Sequence, residues 1–181
     1  MRKNKSLLVT EMKNLVFLLL CLSSAMANAQ QTTPKEAFLE KWENSKDYLI
    51  AIAEAMPEDQ YDFKPTERQM SFKEQLLHIK DNMDWLATSY FTSEKFERTQ
   101  NDSPVTKAET ILVLKKAFEA TSEKIKITAD EDLGTTVEFF AGPKSRLQIL
   151  NLLHDHVTHH RGQLIVYLNL NKIEPPGYVG W

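Results

Sequence analysis

The sequence predicts an all-α fold, an antiparallel four-helix bundle that follows a cleaved N-terminal signal peptide. Four segments carry apolar residues at helical spacing, and proline or glycine residues lie in the connections between them. The length of 181 residues suits one domain, and the hydrophobic content of 42% suits one packed core. Helices that each have one apolar face bury those faces against one another, so a bundle is the expected architecture.

The N-terminal segment has the organisation of an export signal. A basic start precedes a short apolar run, Leu15–Leu22, and Ala27–Ala29 forms a small-x-small cleavage pattern. The run is shorter than the roughly 20 apolar residues that cross a bilayer. We therefore expect residues 1–29 to be a cleaved signal peptide without a stable membrane anchor, and residues 30–181 to be the mature domain, periplasmic or secreted. Translation that starts at Met12 is the alternative to one long basic n-region.

Composition argues against two classes of function. Removing residues 1–29 takes four basic residues and one acidic residue from the totals of 22 and 25, which leaves 18 and 24 and a net charge of about −6. Nucleic acid is not an expected partner, because phosphate contacts supply most of that affinity and this domain has no basic stripe. The only cysteine, Cys21, lies in the signal segment, so neither a disulfide framework nor a catalytic thiol is expected.

The first two helices are predicted from capping boxes followed by apolar stripes. The first begins at the capping box Thr33–Glu36, with proline at the first helical position, and ends at Pro57. The second begins at the capping box Ser71–Glu74 and runs to about Tyr90, after a predicted loop over residues 58–70. The two stripes consist of Phe38, Trp42, Leu49, Ile52 and Met56, and of Phe72, Leu76, Ile79, Met83, Leu86 and Tyr90.

The last two helices are predicted from apolar periodicity and from the breaks that flank them. The third begins near Ser103 or Thr106. Between the third and the fourth helix, Val137–Phe140 is a short apolar segment that is either extended or covers one end of the bundle. The fourth helix starts near Ser145 and continues to about Leu170. The stripe of the third helix is Ile111, Leu114, Phe118 and Ile125.

Two histidines occupy core positions of the fourth helix. Its inward stripe is Ile149, Leu153, His156, His160, Gln163, Tyr167 and Leu170. A neutral imidazole has a donor and an acceptor nitrogen, so two imidazoles in an apolar core cost roughly a few kcal/mol unless both are engaged. One metal ion can engage both, because residues four apart on a helix lie one above the other.

His78 is the third candidate ligand, because it is the only histidine on another helix and lies beside that helix's apolar stripe. A lone core histidine is more often hydrogen-bonded than metal-bound, whereas a buried H-x-x-x-H pair has few other uses. The sequence therefore predicts one divalent metal ion on His78, His156 and His160. Three protein ligands leave positions for water, so such a site can polarise a ligand or activate water.

The remaining polar residues near the predicted site receive lesser roles. His154 and His159 point away from the stripe and are expected at the surface or behind a ligand. A zincin protease is not expected, because the residue after His156 is valine where the zincin helix has glutamate. Candidates for supporting the ligands are Gln163, Glu74 and Asp81, each of which is more often a solvated or capping residue.

The segment from His156 to Gln163, H-V-T-H-H-R-G-Q, resembles the signature of the DinB-like (YfiT-like) metalloenzyme family, which is not the DNA polymerase of that name. The resemblance extends to M-P-E-D at 56–59, F-K-E-Q-L-L-H at 72–78 and P-P-G at 175–177. It implies a four-helix bundle, often a homodimer, with a divalent ion on three histidines. Those positions match His78, His156 and His160 here. Zinc or nickel is the first expectation for the ion, followed by iron or manganese.

Two classes of function follow from these residues and from the resemblance. In the first, the protein is a metal-dependent enzyme, a hydrolase or a transferase, that acts on an unknown small molecule. Some members of the family use low-molecular-weight thiols in the cytoplasm, and the export signal departs from that pattern. In the second, the protein is a non-catalytic metal- or ligand-binding bundle. A cavity above the metal lined by aromatic residues such as Trp85 and Tyr167 would favour the enzyme, and a metal sealed under side chains would favour the alternative.

Overall fold

Four long helices dominate the part of the chain that the structure describes, and the all-α prediction is confirmed there. The computed structural model describes residues 32–98 and 104–180, so the predicted signal peptide lies outside the described residues. The helices are α1 (Pro34–Ala55), α2 (Phe72–Phe91), α3 (Lys107–Lys126) and α4 (Arg146–Leu170). No helix in the described ranges is long and apolar enough to cross a membrane.

Each of the four helices begins at a capping box, which fixes its first residue. In every case the hydroxyl of the residue before the helix accepts a hydrogen bond from the backbone N–H three residues later. The side chain of that later residue accepts a hydrogen bond from the backbone N–H of the residue before the helix. Two otherwise unpaired N–H groups are satisfied at each start. The sequence offered two starts for the third helix, near Ser103 or at Thr106, and in the structure Thr106 is the capping residue. The four boxes pair Thr33 with Glu36, Ser71 with Glu74, Thr106 with Glu109, and Ser145 with Gln148.

The antiparallel prediction holds for two of the four main helix contacts. α1 and α2 each pack against both α3 and α4. α1 and α3 are antiparallel, because Lys107 Nζ at the start of α3 donates to Glu54 O near the end of α1 at 2.7 Å. α2 and α4 are antiparallel as well, because Arg146 Nε at the start of α4 donates to Tyr90 O near the end of α2 at 2.8 Å.

The other two contacts join helices that run in the same direction. Lys124 Nζ donates to Thr88 Oγ1 at 2.8 Å, which joins the C-terminal turns of α2 and α3. Residues 92–106 can span up to roughly 50 Å when extended, more than the roughly 30 Å of a 20-residue helix, so α3 can start again at the end where α2 began. Apolar periodicity specifies the buried face of a helix but not its neighbour, and for this reason the sequence did not predict the parallel pairs.

The core lies between the four helices and includes most of the predicted stripes. Trp42, 1% exposed, packs on Phe118, and its Nε1 donates to Phe118 O at 3.2 Å. The stripe predicted for α4 is wrong at its last position, since Leu170 is 55% exposed. Because α4 packs against both α1 and α2, it buries a wider face than one stripe. The additional buried residues of α4 are Leu150, Val157, Arg161, Leu164 and Leu168.

The connection between α3 and α4 contains a short hairpin that covers one end of α2. A 3-10 helix at Asp130–Gly134 leads to two strands, β1 (Thr136–Val137) and β2 (Lys144–Ser145), which pair antiparallel with Thr136 opposite Ser145. A second 3-10 helix, Glu58–Gln60, follows α1. The hairpin carries Phe139, whose ring stacks on Trp85 of α2 with centroids 6.0 Å apart. Of the two alternatives predicted for Val137–Phe140, both are therefore present in part: Val137 is extended in β1, and Phe139 covers α2.

Candidate metal centre

The structure brings together the three histidines that the sequence selected. His78 lies on α2, and His156 and His160 lie one turn apart on the facing side of α4. Their ring centroids are 4.4 to 4.9 Å apart. One nitrogen from each ring falls within 4.8 Å of the others, which is close enough for all three to hold one metal ion.

Burial keeps these imidazoles neutral. Desolvation is the largest cause that lowers the pKa of His156 to about 4 and of His160 to about 3, and the neighbouring imidazoles lower both values further. The pKa of His78 is also lowered, again mainly by burial, with Asp81 acting in the opposite direction. A metal ion needs an unprotonated nitrogen, so this environment favours the ligand form at neutral pH.

A chain of hydrogen bonds fixes which nitrogen of His160 faces the site. Tyr167 Oη donates its only proton to the backbone carbonyl of Met70 at 2.9 Å, so it must accept from Gln75 Nε2 at 3.3 Å. The other end of the Gln75 amide, Oε1, lies 2.5 Å from His160 Nδ1 and can only accept. His160 Nδ1 therefore carries the proton, and its Nε2 lone pair is free to bind a metal ion.

Gln163 supports this chain, as the sequence suggested, and Gln75 is the residue that sequence reasoning missed. Gln163 Oε1 accepts from Gln75 Nε2 at 2.7 Å, and Gln163 Nε2 lies 2.9 Å from Nε2 of the exposed His159. Gln75 is only 2% exposed and stands one turn before His78. The sequence did contain a signal for this role, because residues 72–78 place the amide of Gln75 one helical turn before the candidate ligand His78.

The other sequence candidates lie outside the group of three histidines. Glu74 is exposed and completes the cap of α2 while pairing with Lys64 at 2.9 Å. Asp81 pairs with Lys80 and with Arg98. His154 faces α1, with Nε2 3.3 Å from Ser45 Oγ. None of these three serves as a ligand candidate in this geometry.

The surroundings of the two ring nitrogens of His156 indicate whether the three histidines fit a metal ion. Its Nε2 lies 3.2 Å from His78 Nε2, and two facing imidazole nitrogens must share either a proton or a cation. Its Nδ1 is buried and has no hydrogen-bond partner among the described residues. Three neutral imidazoles form a nitrogen donor set that suits zinc, nickel, copper or iron better than magnesium or calcium. The residues present therefore fit a single transition-metal ion.

A cleft of about 250 Å³ reaches the site from the side of His78. Of the two aromatic residues named as a possible lining, Trp85 lines this cleft, whereas Tyr167 is 1% exposed and belongs to the core. A shallower depression of about 470 Å³ adjoins it and shares His78 and the Asp81–Arg98 ion pair. The cleft is lined by His78, Asp81, Asn82, Trp85, Phe96 and Arg98.

Comparison with known proteins connects the site to one family. The model of the DinB family matches residues 26–178, which include all three histidines. The chain is 26% identical over 131 residues to an uncharacterized protein, YjoA, from Bacillus subtilis strain 168, and the match spans 70% of this chain and 84% of that one.

Solved structures show the same fold. A DinB-like protein from Bacillus cereus ATCC 10987 matches with a TM-score of 0.70 and 20% identity, over 80% of this chain and 97% of that one. The structure of YjoA from Bacillus subtilis, also titled DinB-like, matches with a TM-score of 0.66 and 23% identity, over 78% and 96% of the two chains. At these identities the likeness supports the fold and not an activity.

Proposed function

The chain belongs to the DinB family, and from this membership and the histidine site we propose that it is a metal-dependent enzyme, a hydrolase or a transferase, acting on a small molecule. The observation that carries the proposal is the convergence of His78, His156 and His160 on one point, with His160 held in the tautomer that frees Nε2. A bound divalent ion would supply Lewis acidity to a substrate oxygen or to water. Zinc or nickel suits the three nitrogens best, with iron or manganese next.

The cleft beside His78 supports catalysis over simple storage of an ion. Because His78 lines it, a small molecule that enters can reach the histidine site. Trp85 and Phe96 would cover an apolar part of such a molecule, and Arg98, whose side chain is 72% exposed, would attract a negatively charged part. These residues bind and orient the substrate in this proposal.

A second candidate function is a non-catalytic metal- or ligand-binding bundle. It is favoured by the one carboxylate among the residues that line the cleft, because Asp81 is already engaged by Lys80 and Arg98 and is poorly placed to act as a general base. His156 and His160 do not line the cleft, which is also the arrangement expected of an ion held for structural reasons.

Export remains part of the proposal and rests on the sequence of residues 1–29. We expect a mature chain that begins at Gln30 in the periplasm or outside the cell. Mass analysis of the N-terminus, on protein isolated from its native host, is the direct test. A cytoplasmic species that retains Leu15–Ala29 would contradict export without affecting the metal site.

The metal assignment is tested by measuring metal per chain on folded, untagged protein. Wild type should carry close to one ion, and His78→Ala, His156→Ala and His160→Ala should each lose most of it, because each removes one of three protein ligands. His154→Ala and His159→Ala are the matched controls and should keep the ion. Full occupancy in His78→Ala would remove α2 from the site.

Activity screening then separates the two candidate functions. The metal-loaded protein should turn over at least one small-molecule ester, amide or group-transfer substrate, and the three ligand variants should not. A fully loaded protein that is inert across these reaction classes would favour the non-catalytic bundle. Because occupancy is measured first, a missing ion and a missing activity are distinguishable.

A further inference from the structure

The cleft beside His78 is lined by a side-chain amide whose oxygen has no hydrogen-bond partner within the described part of the chain. This atom is Oδ1 of Asn82, and it is buried. The other polar side chains of the cleft are engaged, since Arg98 donates to Asp81 at 3.0 Å and His78 Nε2 faces His156 Nε2 at 3.2 Å. Native proteins rarely keep a buried acceptor without a partner unless it has a use.

Asn82 stands between the candidate metal ligand and the aromatic wall of the cleft. It follows His78 by four residues and precedes Trp85 by three, so the three side chains share one face of α2. At a rise of about 1.5 Å per residue, Asn82 is roughly 6 Å along the helix from His78, and Trp85 is roughly 4.5 Å further. Phe139 stacks on Trp85 with centroids 6.0 Å apart, which supports the indole. A molecule in the cleft therefore meets the histidine site, an amide and aromatic rings in that order.

From this order we infer that Asn82 determines the specificity of the cleft, and that the cleft accepts small molecules that carry an amide next to an aromatic group. The inference rests on the proposed function and names its substrate class. The aromatic group packs against Trp85 and Phe96, and the amide pairs with Asn82. The reacting end of the substrate then points towards His78. Asn82 binds the substrate in this arrangement and takes no part in holding the ion.

An amide is the complement of the Asn82 side chain. Asparagine has an oxygen that accepts beside a nitrogen that donates, and a ligand amide has an N–H beside a C=O in the same plane. The terminal torsion of asparagine has a broad preference, so the side chain can turn this edge towards the cleft. A ketone of the same shape has no proton to donate, so it leaves Oδ1 without a partner. Sites that are built to bind a substrate N–H reject analogues that lack it for this reason.

The test compares two probes of the same shape, phenylacetamide and benzyl methyl ketone, on the Zn²⁺-loaded protein. Dissociation constants are measured by ligand-observed NMR. Wild type should bind the amide about tenfold more tightly than the ketone, because the ketone leaves Asn82 Oδ1 unpaired. Asn82→Leu removes the side-chain amide and should bring the two dissociation constants together. Asn151→Leu, which changes an exposed asparagine of α4, is the matched control and should keep the preference. Trp85→Ala should weaken both probes and leave their ratio unchanged.

Three outcomes would overturn the inference. Equal affinity of loaded wild type for the two probes would show that Asn82 reads no N–H group, and a preference that persists in Asn82→Leu would assign it to another residue. Binding that is unchanged in Trp85→Ala would lie outside the cleft. Asn82→Ala provides the same comparison if the leucine variant does not fold. A wild-type chain that takes up no Zn²⁺ would reject the proposed function itself, whereas a loaded chain without the amide preference rejects this inference alone.

Discussion

At the scale of single residues, the direction of the hydrogen bonds around Gln75 follows from one backbone carbonyl. Met70 O can only accept, which makes Tyr167 a donor to it, and the Gln75 amide is oriented in consequence. His160 thus has its tautomer assigned by groups that carry no charge. The orientation is set before any ion arrives, which reduces the reorganisation that binding requires.

Replacing Gln75 should therefore weaken metal binding although Gln75 is not a ligand. Gln75→Leu keeps the buried volume but removes the acceptor for His160 Nδ1–H, and we expect Zn²⁺ affinity to fall by about 10- to 100-fold. Chelator competition on the folded variant measures the change. Gln69→Leu, at an exposed loop position, is the control. Native affinity in Gln75→Leu would show that the 2.5 Å contact with His160 has no part in holding the ion.

At the scale of helices, the start of α2 controls the position of its metal-site residues. Ser71 Oγ accepts from Glu74 N at 3.1 Å, and Glu74 Oε2 accepts from Ser71 N at 2.6 Å. The backbone N–H of Ser71 is the main cause that lowers the pKa of Glu74, with Lys64 contributing. Gln75 and His78 follow within the next two turns, so the cap also fixes where their side chains emerge.

Removing this cap should destabilise the protein moderately. Ser71→Ala leaves a backbone N–H of the first turn without its side-chain acceptor, and we expect a loss of about 1 kcal/mol in the free energy of unfolding. Urea denaturation of the metal-free protein measures it without interference from the ion. Ser93→Ala, at an exposed position after α2, should change the unfolding free energy by less than about 0.5 kcal/mol. Equal unfolding free energies of the two variants would show that the capping box of Ser71 and Glu74 does not stabilise the protein.

The helix starts and the clustering of His156 with His160 were predictable from the sequence because both depend on short spacings. Capping boxes span three residues, and the pair at 156 and 160 spans one turn, so local pattern suffices. Gln75 was missed because its role depends on Tyr167 and Met70, which are distant in the sequence. The parallel packing of α2 with α3 and of α1 with α4 was missed for a similar reason. Apolar periodicity indicates which face of a helix is buried but not which helix packs against that face.

At the scale of the whole molecule, the histidine site lies between α2 and α4 and brings these two helices together. α3 follows α2 and α4 ends the bundle, so a bond between α2 and α4 connects segments that are far apart in the chain. An ion held there binds only the folded state. Its binding free energy therefore adds to the stability of the entire domain.

Metal removal should lower the melting temperature. An ion present at a hundredfold excess over its Kd adds about 2.7 kcal/mol to the free energy of unfolding, which for a domain of this size corresponds to several degrees. Melting curves recorded with Zn²⁺ and with a chelator give the difference. The chelator should have no effect on His156→Ala, which serves as the control. Identical melting of loaded and chelated wild type would mean that the ion does not bind the native state selectively.

The metal-free protein should lose stability as the pH falls from 7 towards 5. The pKa values of His156 and His160, about 4 and about 3 in the folded protein, lie below the ordinary value of 6.5, mainly because burial disfavours their charged forms. Between those values the unfolded chain binds more protons than the folded one, so unfolding becomes easier with acidity. The stability that these histidines contribute is fully present above pH 6.5, and it is lost progressively as the pH falls from 6.5 to the folded pKa values of about 4 and about 3.

This pH dependence can be assigned to the buried histidines by comparison of variants. Melting temperatures of chelated wild type and of His159→Ala, which changes an exposed histidine, should fall together between pH 7 and pH 5. A double variant, His156→Leu with His160→Leu, removes two buried titrating groups and should give a flatter profile over the same range. Carboxylates contribute little there, because they titrate mainly below pH 5. If the double variant kept the wild-type slope, the acid sensitivity would have to come from other groups, such as His78 and His154, whose pKa values burial also lowers.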